Sequence, residues 1–526
     1  MKEKFYITTP IYYPSNKLTI GNAYTNIICD AIARWNRAQG KDVFYLTGTD
    51  EHGQKISQSA QVAGKSEKEY LDKMIEDTKS LWELLDISYD KFIRTTDPYH
   101  EKAVQKIFTD LYNKGYIYKG SYKGWYCTPC ESFWTESQLK DGKCPDCGRE
   151  VKFQEEEAYF FKLSQFGDKL LKLYETHPEF LQPKSRVNEM VNNFLKPGLS
   201  DLCVSRTSVK WGVPVEFDPK HTIYVWIDAL PNYITALGYG SEDDSLFKKF
   251  WPADVHMIGK EIVRFHSIIW PAILMALGLE LPKTVFGHGW LLFGGDKLSK
   301  SKETGSSECV DPRVLVPAYS ADAVRYYLYR EIPFGSDGNY STESFLTRFN
   351  ADLSNNYGNL VSRTFSMVKK YFNSAIPHLY ELTEDDKKLK ATVDNEVKNA
   401  FDYMAKYDVT RATTSIFNIF TEANTYIQKV QPWAVAKEGD SERLCTILRV
   451  LLETIRIGSL LFEPFAPNAP KKVLTALGVE NGKFANLDNF DGLEEGRILE
   501  SIDILFPRLD IKAELEKLAL INKNKQ

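Results

Sequence analysis

Strand and helix patterns alternate at the start of this chain, stop, and later resume. Residues 5–9 and 43–46 are apolar and predict buried strands, and residues 20–39 between them predict a helix that Gly40 ends. The alternation breaks over residues 116–220. Strand patterns return at residues 223–227, 255–259 and 285–289. Because such alternation is typical of a doubly wound parallel sheet, the sequence predicts an α/β fold with one Rossmann-type parallel sheet that an insertion splits.

Strand patterns disappear after residue 342, where helical periodicity takes over. Amphipathic stretches predict an all-α bundle. They lie near residues 343–373, 384–406, 410–429, 441–462 and 467–477. A further amphipathic helix is predicted after Pro507. The predicted divisions are the first half of the Rossmann-type domain, the insertion, the second half, the helical domain and a C-terminal helix, at residues 1–115, 116–220, 221–342, 343–506 and 507–526.

The composition is that of a folded protein with ordinary charge. Of the 526 residues, 43% are hydrophobic and 26% are charged, and these proportions exclude a disordered chain. No apolar run is long enough to cross a bilayer, and Phe5-Tyr6-Ile7 begins too early to leave room for a signal segment. We therefore expect a cytoplasmic protein without a membrane anchor. A net charge of −5 gives no overall sign of nucleic-acid binding and does not exclude a local basic surface.

Four of the eight cysteines are clustered in the predicted insertion. Cys127, Cys130, Cys144 and Cys147 form two CxxC pairs, and Gly148 follows the second pair. Two such knuckles suit a tetrahedral zinc site of four thiolates, which leaves no coordination position for a substrate. The pattern therefore predicts one structural Zn2+ ion. A redox pair or disulfide bonds are the alternatives, and both are weaker in a reducing compartment.

A turn and a helix start follow the first predicted strand. Thr19, Gly21 and Asn22 lie where backbone N–H groups and the positive end of a helix dipole would face an anion. Gly21 would let a purine ring or a phosphate approach the backbone, and the other two side chains offer hydrogen-bond donors. An ordinary helix with Thr19 as its N-cap explains the same residues. From this segment alone, both interpretations remain open.

Residues 10–24, PIYYPSNKLTIGNAY, resemble the first signature of class I aminoacyl-tRNA synthetases, His-Ile-Gly-His. They are specifically similar to the methionyl enzymes, in which the last position is often Asn. The similarity continues through residues 45–55, YLTGTDEHGQK, and covers the chain from residue 5 to about residue 474. It implies a Rossmann-type catalytic domain, a zinc-knuckle connective insertion and an all-α anticodon-binding bundle. It also implies activation of L-methionine with ATP and Mg2+ to methionyl-adenylate, and transfer to the 3′ end of tRNA(Met).

A second signature lies in the second half of the predicted sheet. Residues 297–301, KLSKS, are similar to the Lys-Met-Ser-Lys-Ser signature of the same family. Its two lysines could close over a triphosphate and neutralise charge on the leaving pyrophosphate, although such a loop on its own is more often solvated surface. The resemblance implies that the catalytic residues are Thr19, Asn22, Lys297 and Lys300. It implies that the ATP-binding residues are Thr19, Gly21, Asn22, Gly259, Glu261, Lys297, Ser299 and Lys300.

Two departures from the family pattern concern these signatures. Thr19 stands where the family places a histidine that contacts the ATP phosphates, and a neutral hydroxyl cannot supply an imidazolium charge. We therefore expect slower adenylate formation than in a relative with histidine, since one transition-state hydrogen bond is worth roughly ten- to thousandfold in rate. Residues 303–310 are rich in Gly and Ser, and the family usually crosses this interval in about four fewer residues. The longer arm would slow ordering of the loop.

A pocket for methionine should be mainly aromatic and apolar, with polar groups for the ammonium. The resemblance implies that the methionine-binding residues are Ile11, Tyr13, Asp50, Trp226, Ala229, Leu230, Tyr233, Phe265, His266 and Trp270. Asp50 is the natural carboxylate for the substrate ammonium. Ordinary core packing is the alternative for the Trp and Phe side chains, and a satisfied core histidine is the alternative for His266.

Recognition of tRNA is implied at the helical end of the chain. Similarity to the family assigns Asn359, Arg363 and Trp433 to the anticodon. The first two are four positions apart and would share a helix face, and an aromatic side chain can stack on an unpaired base. A helix-capping Trp and a surface Arg are the alternative. Because the chain lacks the oligonucleotide-binding domain that many relatives append for dimerisation, we expect a monomer.

Three hypotheses about function remain. An active methionyl enzyme is the first. A catalytically weakened paralogue that keeps zinc and RNA binding is the second, and Thr19 and the long loop motivate it. A synthetase for leucine, isoleucine or valine is the third, and it is disfavoured because residues 116–220 are too few for the large editing domain of those enzymes. Methionine-dependent ATP–pyrophosphate exchange separates the first two.

Overall fold

The structure is a computed structural model, and it describes residues 2–14, 18–128, 130, 132–293, 296–297, 311–484 and 486–524. In chain order, its strands are β1 (Lys4–Tyr12), β2 (Asp42–Thr49), β3 (Lys91–Arg94), β4 (Ile117–Cys127), β5 (Ser132–Trp134), β6 (Lys152–Phe161), β7 (Leu181–Gln182), β8 (Leu202–Cys203), β9 (Ser205–Arg206), β10 (Thr222–Ile223), β11 (Val255–Gly259), β12 (Thr284–His288), β13 (Leu291–Phe293), β14 (Asp296–Lys297) and β15 (Gly338–Tyr340).

The α-helices are α1 (Ile20–Ala38), α2 (Gln54–Val62), α3 (Glu67–Leu84), α4 (Pro98–Asn113), α5 (Gly167–Thr176), α6 (Lys184–Met190), α7 (Val225–Ala229), α8 (Asn232–Thr235), α9 (Ser245–Phe250), α10 (Trp270–Leu277), α11 (Pro312–Tyr319), α12 (Ala321–Glu331), α13 (Thr342–Arg348), α14 (Asn359–Phe372), α15 (Glu384–Met404), α16 (Val409–Val430), α17 (Pro432–Glu438), α18 (Ser441–Phe462), α19 (Ala469–Leu477) and α20 (Ile511–Asn524). Among the described residues, no helix has both the length and the apolarity needed to cross a membrane.

A parallel sheet forms the centre of the N-terminal half. Its strand order among the described residues is β3-β2-β1-β11-β12-β7, and all neighbouring pairs run parallel. Ile7 of β1 lies opposite Val255 of β11, so the two separated parts of the chain meet in the middle of the sheet. The central strands are largely buried, which explains their continuous apolar runs. The predicted split Rossmann-type sheet is confirmed.

Two predicted strands differ from the structure, and one strand of the main sheet was not predicted. β1 extends beyond residue 9 to Tyr12, because its pairing with β2 shifts register between Thr8 and Ile11 and so tolerates the intervening proline. Residues 223–227 are not a strand of the main sheet, since β10 ends at Ile223 and pairs antiparallel with β9, and Trp226 lies in α7. β7 lies within the predicted insertion and yet forms the edge of the main sheet beside β12.

The insertion contains a long antiparallel hairpin. β4 pairs with β6 along almost its whole length, and the strand order of this sheet is β5-β4-β6-β8. The clustered cysteines lie at the turn end of the hairpin, between the end of β4 and the start of β6. The ring of Trp134 in this segment lies 5.7 Å from the guanidinium of Arg264, which follows β11. The turn end therefore contacts the half of the chain that contains the parallel sheet.

The C-terminal half is helical, as predicted. Helices α15, α16 and α18 pack on one another, and their core continues into the half that contains the parallel sheet. Trp35 near the end of α1 shows this continuity, because the centre of its ring lies 4.6 Å from that of Phe484, 5.0 Å from that of Phe401 and 6.0 Å from that of Phe465. Helix α1 and the helical domain therefore share one packed interface.

A buried ion pair crosses the same region. The guanidinium of Arg325 on α12 lies 2.7 Å from the carboxylate of Asp30 on α1. Arg325 also donates to the backbone carbonyls of Phe465 at 2.9 Å and Leu85 at 3.1 Å. Nε of Arg34 donates to Oδ2 of Asp30, the same carboxylate oxygen that Arg325 binds, at 2.7 Å. One guanidinium thus joins α1, α12 and the segment that follows α18.

Candidate active site

A cavity of about 520 Å³ lies at the carboxyl ends of β1, β11 and β12. The start of α1 and the helices α7 and α8 form its other walls. Open parallel sheets bind ligands outside the carboxyl ends of their strands, at the point where the strand order reverses. That point lies between β1 and β11 in this sheet. The cavity is therefore the candidate active site.

Most of the predicted site residues line this cavity. From the predicted methionine-binding set, they are Ile11, Tyr13, Asp50, Trp226, Ala229, Leu230, Tyr233 and His266. From the predicted ATP-binding set, they are Thr19, Gly21, Asn22, Gly259 and Glu261. The structure therefore brings together residues from both halves of the split sheet.

Phe265 and Trp270, the other two residues of the predicted methionine-binding set, are not among the residues that line this cavity. Phe265 stacks on Trp226, with ring centres 3.7 Å apart. Trp270 is fully buried, and its indole N–H donates to Nε2 of His256 at 3.3 Å. A π-helical turn over Phe265–Ile269 places His266 at the cavity and its neighbours away from it. The two rings support the residues that form the wall.

His266 and Tyr233 form a hydrogen-bonded pair in this wall. Nδ1 of His266 lies 2.9 Å from the carbonyl of Ile262, which can only accept, so this nitrogen carries the hydrogen. Burial lowers the pKa of His266 to about 4. At neutral pH its Nε2 is therefore an acceptor for the Tyr233 hydroxyl at 2.7 Å. His266 thus fixes the orientation of the Tyr233 side chain, which lines the cavity. This contact distinguishes His266 from a core histidine that has no contact with the cavity.

The start of α1 forms one end of the cavity. Thr19 is the N-cap residue, and its backbone N–H donates to Oδ1 of Asn22 at 3.1 Å. The Thr19 hydroxyl lies 3.4 Å from the same oxygen. The residues that cap the helix therefore also line the cavity. The helix dipole at this end favours a bound anion.

Several residues that line the cavity were not predicted from the sequence. His288 ends β12, and its Nε2 lies 2.7 Å from the hydroxyl of Thr25 on α1. The indole N–H of Trp290 donates to the carboxylate of Glu261 at 2.7 Å. His288 could have been predicted from its position at the carboxyl end of a strand pattern, because parallel sheets bind ligands at the carboxyl ends of their strands. The other cavity residues that were not predicted are Pro10, Tyr12, Tyr24, Thr25, Lys55, Asn232, Ile262, Gly289 and Leu291, and Cys130, predicted as a zinc ligand, also lines the cavity.

The second signature is described only in part. β13 and β14 form an antiparallel hairpin, and β14 ends at Lys297. The side chain of Lys297, the residues Ser299 and Lys300, and the long interval at residues 303–310 lie outside the described residues. Helix α11 begins at Pro312, shortly after them.

The four clustered cysteines lie together, as predicted. Their sulfur atoms are all within 4.8 Å of one another, with Cys127 and Cys147 at 3.5 Å and Cys130 and Cys144 at 3.9 Å. A tetrahedral zinc ion with Zn–S bonds of about 2.3 Å needs sulfur atoms about 3.8 Å apart. The described cysteines form no disulfide. The cluster therefore fits a zinc ion, and Cys130 also lines the cavity.

The predicted anticodon residues lie on two neighbouring helices. Asn359 is the first residue of α14 and is exposed, and Arg363 lies one turn later on the same helix. Trp433 is the second residue of α17 and is half-buried. The guanidinium of Arg363 lies 5.7 Å from the centre of the Trp433 ring. The structure therefore brings Arg363 and Trp433 into contact, with Asn359 one turn away.

Two known sequence families match the chain. The family described as tRNA synthetases class I (M) matches residues 5–154 and 147–365. The family described as the anticodon binding domain of methionyl tRNA ligase matches residues 376–518. Together the two matches cover the sheet, the insertion and the helical half.

Similar proteins agree with these matches. Methionine–tRNA ligase of Caldanaerobacter subterraneus subsp. tengcongensis is 56% identical over 520 residues, which cover 98% of this chain and 81% of that protein. Methionine–tRNA ligase of Clostridium tetani is 55% identical over 519 residues, which cover 98% and 80%. A solved structure of Mycobacterium tuberculosis methionyl-tRNA synthetase in complex with methionyl-adenylate matches with a TM-score of 0.91 and 41% identity, and the match covers 96% of this chain and 100% of that chain. This chain therefore belongs to the methionyl-tRNA synthetases of class I.

Proposed function

We propose that this chain activates L-methionine with ATP and transfers it from methionyl-adenylate to the 3′ end of tRNA(Met). The observation that carries the proposal is the cavity at the junction of β1 and β11. There a carboxylate, an aromatic wall and the N-terminus of a helix lie together. The similar M. tuberculosis enzyme was solved with methionyl-adenylate.

The amino-acid end of the cavity has one acidic and several apolar groups. Asp50 is assigned to the substrate ammonium, because a carboxylate in a partly apolar cavity favours a cation. The residues assigned to the methionine side chain are Ile11, Tyr13, Trp226, Ala229, Leu230, Tyr233 and His266. Phe265 and Trp270 act through the residues they support. An aromatic and apolar wall suits a polarizable thioether that forms few hydrogen bonds.

Adenylate formation needs alignment rather than a nucleophile from the protein. The methionine carboxylate attacks the α-phosphate of ATP, and the bond from that phosphate to pyrophosphate breaks. The N-terminus of α1 is suited to the phosphates, and Glu261 lies at the adenosine end. Mg2+ would accompany ATP and neutralise phosphate charge. The residues assigned to ATP are Thr19, Gly21, Asn22, Gly259, Glu261, Lys297, Ser299 and Lys300, and Thr19, Asn22, Lys297 and Lys300 are the proposed catalytic group.

Methionine-dependent ATP–pyrophosphate exchange tests this proposal. Exchange with methionine, and little with leucine, isoleucine or valine, is the expected result. Intact tRNA binding without exchange would instead favour the weakened paralogue. Exchange that prefers a branched-chain amino acid would contradict the assignment of the cavity.

Thr19→His is expected to raise the rate of adenylate formation by at least about tenfold, since an added transition-state hydrogen bond is worth roughly ten- to thousandfold. The exchange assay at saturating methionine and ATP measures it. Thr19→Ser is the matched control, because it keeps a neutral hydroxyl at the same position and should leave the rate nearly unchanged. Equal rates for the wild type and Thr19→His would contradict the idea that Thr19 limits catalysis.

The four-cysteine cluster is proposed to hold one structural Zn2+ ion. When bound, the ion would fix the knuckle as a closed tetrahedral site. Elemental analysis should then find one zinc per chain. Cys144→Ser is expected to lose the metal and lower the melting temperature, because zinc binding contributes folding free energy. Cys445→Ser is the control, since this buried thiol lies outside the cluster. A metal-free wild type that melts at the same temperature as the zinc-loaded protein would contradict the proposal.

The helical half is proposed to bind the anticodon of tRNA(Met). Contact between Arg363 and Trp433, with Asn359 nearby, supports a surface that combines stacking with hydrogen bonding to base edges. We further propose that the protein is a cytoplasmic monomer. Free cysteine thiols are typical of proteins in the reducing cytoplasm. The proposed domain divisions remain at residues 1–115, 116–220, 221–342, 343–506 and 507–526.

A further inference from the structure

A buried carboxylate with two histidine partners lies behind the cavity. Asp228 in α7 is fully buried. Nδ1 of His52 lies 2.6 Å from its Oδ2, and Nε2 of His100 lies 3.0 Å from its Oδ1. Nε2 of His100 also lies 3.1 Å from the Asp228 carbonyl. Because both partners are acceptors, this nitrogen carries its hydrogen.

The three side chains connect two walls of the cavity. His52 follows Asp50 by two positions, in the loop after β2. Asp228 follows Trp226 by two positions, in the short helix α7. Asp50 and Trp226 both line the cavity, on separate segments of the chain. The hydrogen bond between His52 and Asp228 therefore links the segment that carries Asp50, the proposed ammonium ligand, to the helix that carries Trp226 of the aromatic wall.

The other neighbour of Asp50 is anchored as well. Glu51 is fully buried, and Arg94 donates to its two carboxylate oxygens at 2.8 and 2.9 Å. The indole N–H of Trp211 donates to the Glu51 carbonyl at 2.7 Å. The backbone N–H of Asp50 itself donates to the carbonyl of Tyr12 at 3.0 Å. Asp50 is thus held from both sides, with His52 as the anchor that reaches α7.

Charge strengthens the link between His52 and Asp228. Burial disfavours a charged His52, but the carboxylate of Asp228 outweighs burial and raises the pKa of His52 to about 10. Burial likewise opposes ionisation of Asp228, and its two histidine partners outweigh burial and hold its pKa at about 2. The exposed carboxylate of Glu101 lies 3.5 Å from Nε2 of His52. A buried pair of opposite charges tolerates little displacement, because separation leaves each charge without compensation.

We propose that His52 and Asp228 are positioning residues for methionine recognition, which hold Asp50 where its carboxylate meets the substrate ammonium. This inference rests on the proposed assignment of Asp50. A pair with only a structural role would stabilise the fold without changing the affinity for one substrate more than for the other.

The test is steady-state ATP–pyrophosphate exchange with two variants. Asp228→Asn keeps the shape of the side chain and removes the charge that His52 needs. It is expected to raise KM for methionine roughly ten- to hundredfold, because small misplacement of a binding group is costly, while KM for ATP stays within about twofold. His52→Asn keeps an N–H donor near the former Nδ1 and should raise the same KM to a smaller extent. If Asp228→Asn does not fold, the KM of His52→Asn for methionine tests the inference instead.

A second measurement separates positioning from general loosening. The desamino analogue 4-(methylthio)butanoate is methionine without its ammonium, so Asp50 has nothing on it to bind. Its Kd should stay within about twofold of the wild-type value in both variants, while the Kd of methionine rises. His221→Asn is the matched control, because His221 is also fully buried and lies 3.2 Å from an acidic partner, Glu157, in the insertion. This control should leave both constants unchanged.

Two results would overturn the inference. One is a wild-type KM for methionine in folded Asp228→Asn and His52→Asn. The other is an equal loss of affinity for methionine and its desamino analogue. Asp50→Asn distinguishes this failure from failure of the site assignment. If Asp50→Asn raises KM for methionine and the two variants do not, only the positioning role is wrong, whereas an unchanged KM in all three means that Asp50 does not bind the ammonium.

Discussion

Replacement of Asp50 by asparagine is expected to lower kcat/KM for methionine by at least about thirtyfold. Asp50 is half-buried and lines the cavity, and its carboxylate is the proposed ligand of the substrate ammonium. Removing one partner of a buried, hydrogen-bonded charge pair costs about 2–5 kcal/mol. The lower end of that range corresponds to about thirtyfold in kcat/KM. The amide keeps the shape of the side chain, so the loss reports on charge, and pyrophosphate exchange at varied methionine measures it.

Asp394→Asn is the matched control for this experiment. Its carboxylate is exposed and binds Lys390 at 2.7 Å on α15, outside the cavity. This surface ion pair contributes at most about 1 kcal/mol to stability, so the variant should keep wild-type kinetics. Equal kinetic losses in Asp50→Asn and Asp394→Asn would contradict the assignment of Asp50 to the site.

Arg325→Met is expected to lower the free energy of unfolding by about 3 kcal/mol, because breaking a buried ion pair leaves an uncompensated charge. Arg325 and Asp30 are both fully buried. The carbonyls of Phe465 and Leu85 would also lose a donor. Urea denaturation followed by fluorescence measures the change, and Arg411→Met is the control, since Arg411 is largely exposed and pairs with Asp408 on the surface.

The same pair should make stability sensitive to acid. Burial raises the pKa of Asp30, but Arg34 and Arg325, together with hydrogen bonds from Ser88, outweigh burial and lower it from 3.8 to about 2. The folded pKa is below the unfolded value, so this stabilisation is present above about pH 4 and is lost as pH falls toward 2. Loss of Arg325 raises the folded pKa of Asp30, so Arg325→Met should begin acid unfolding at higher pH. Identical acid profiles for the two proteins would contradict this account.

The sequence was sufficient to predict the split sheet but not every strand of it. Central parallel strands are continuous apolar runs, and β1, β11 and β12 have that pattern. Residues 223–227 have the same pattern and yet overlap the start of helix α7, because a short apolar run does not distinguish a strand from a buried helix. β7 has only two residues, too few to show any periodicity. It belongs to the main sheet because it pairs with β12, which is distant in the sequence.

The candidate site was predictable where a continuous motif carried it. Residues 19–22 lie at the helix start, as the signature implied. The partners of Asp228 were not predictable, because His52 and His100 lie 176 and 128 positions away and no local pattern links them. The π-helical turn that begins at Phe265 was not predictable either, because the local sequence pattern does not distinguish it from an ordinary helix.

The catalytic cavity can be completed only late in synthesis of the chain. Thr8 of β1 and His256 of β11, which bind each other at 2.7 Å, lie 248 positions apart. At typical translation rates of about 5–20 residues per second, the early half of the sheet waits roughly 12–50 seconds for its neighbour. During that time one edge of β1 has no strand to pair with. The hairpin of β4 and β6 joins residues that lie close in the chain, so the insertion can fold in the interval, while the unpaired edge of β1 stays open to pairing with other chains until β11 is made.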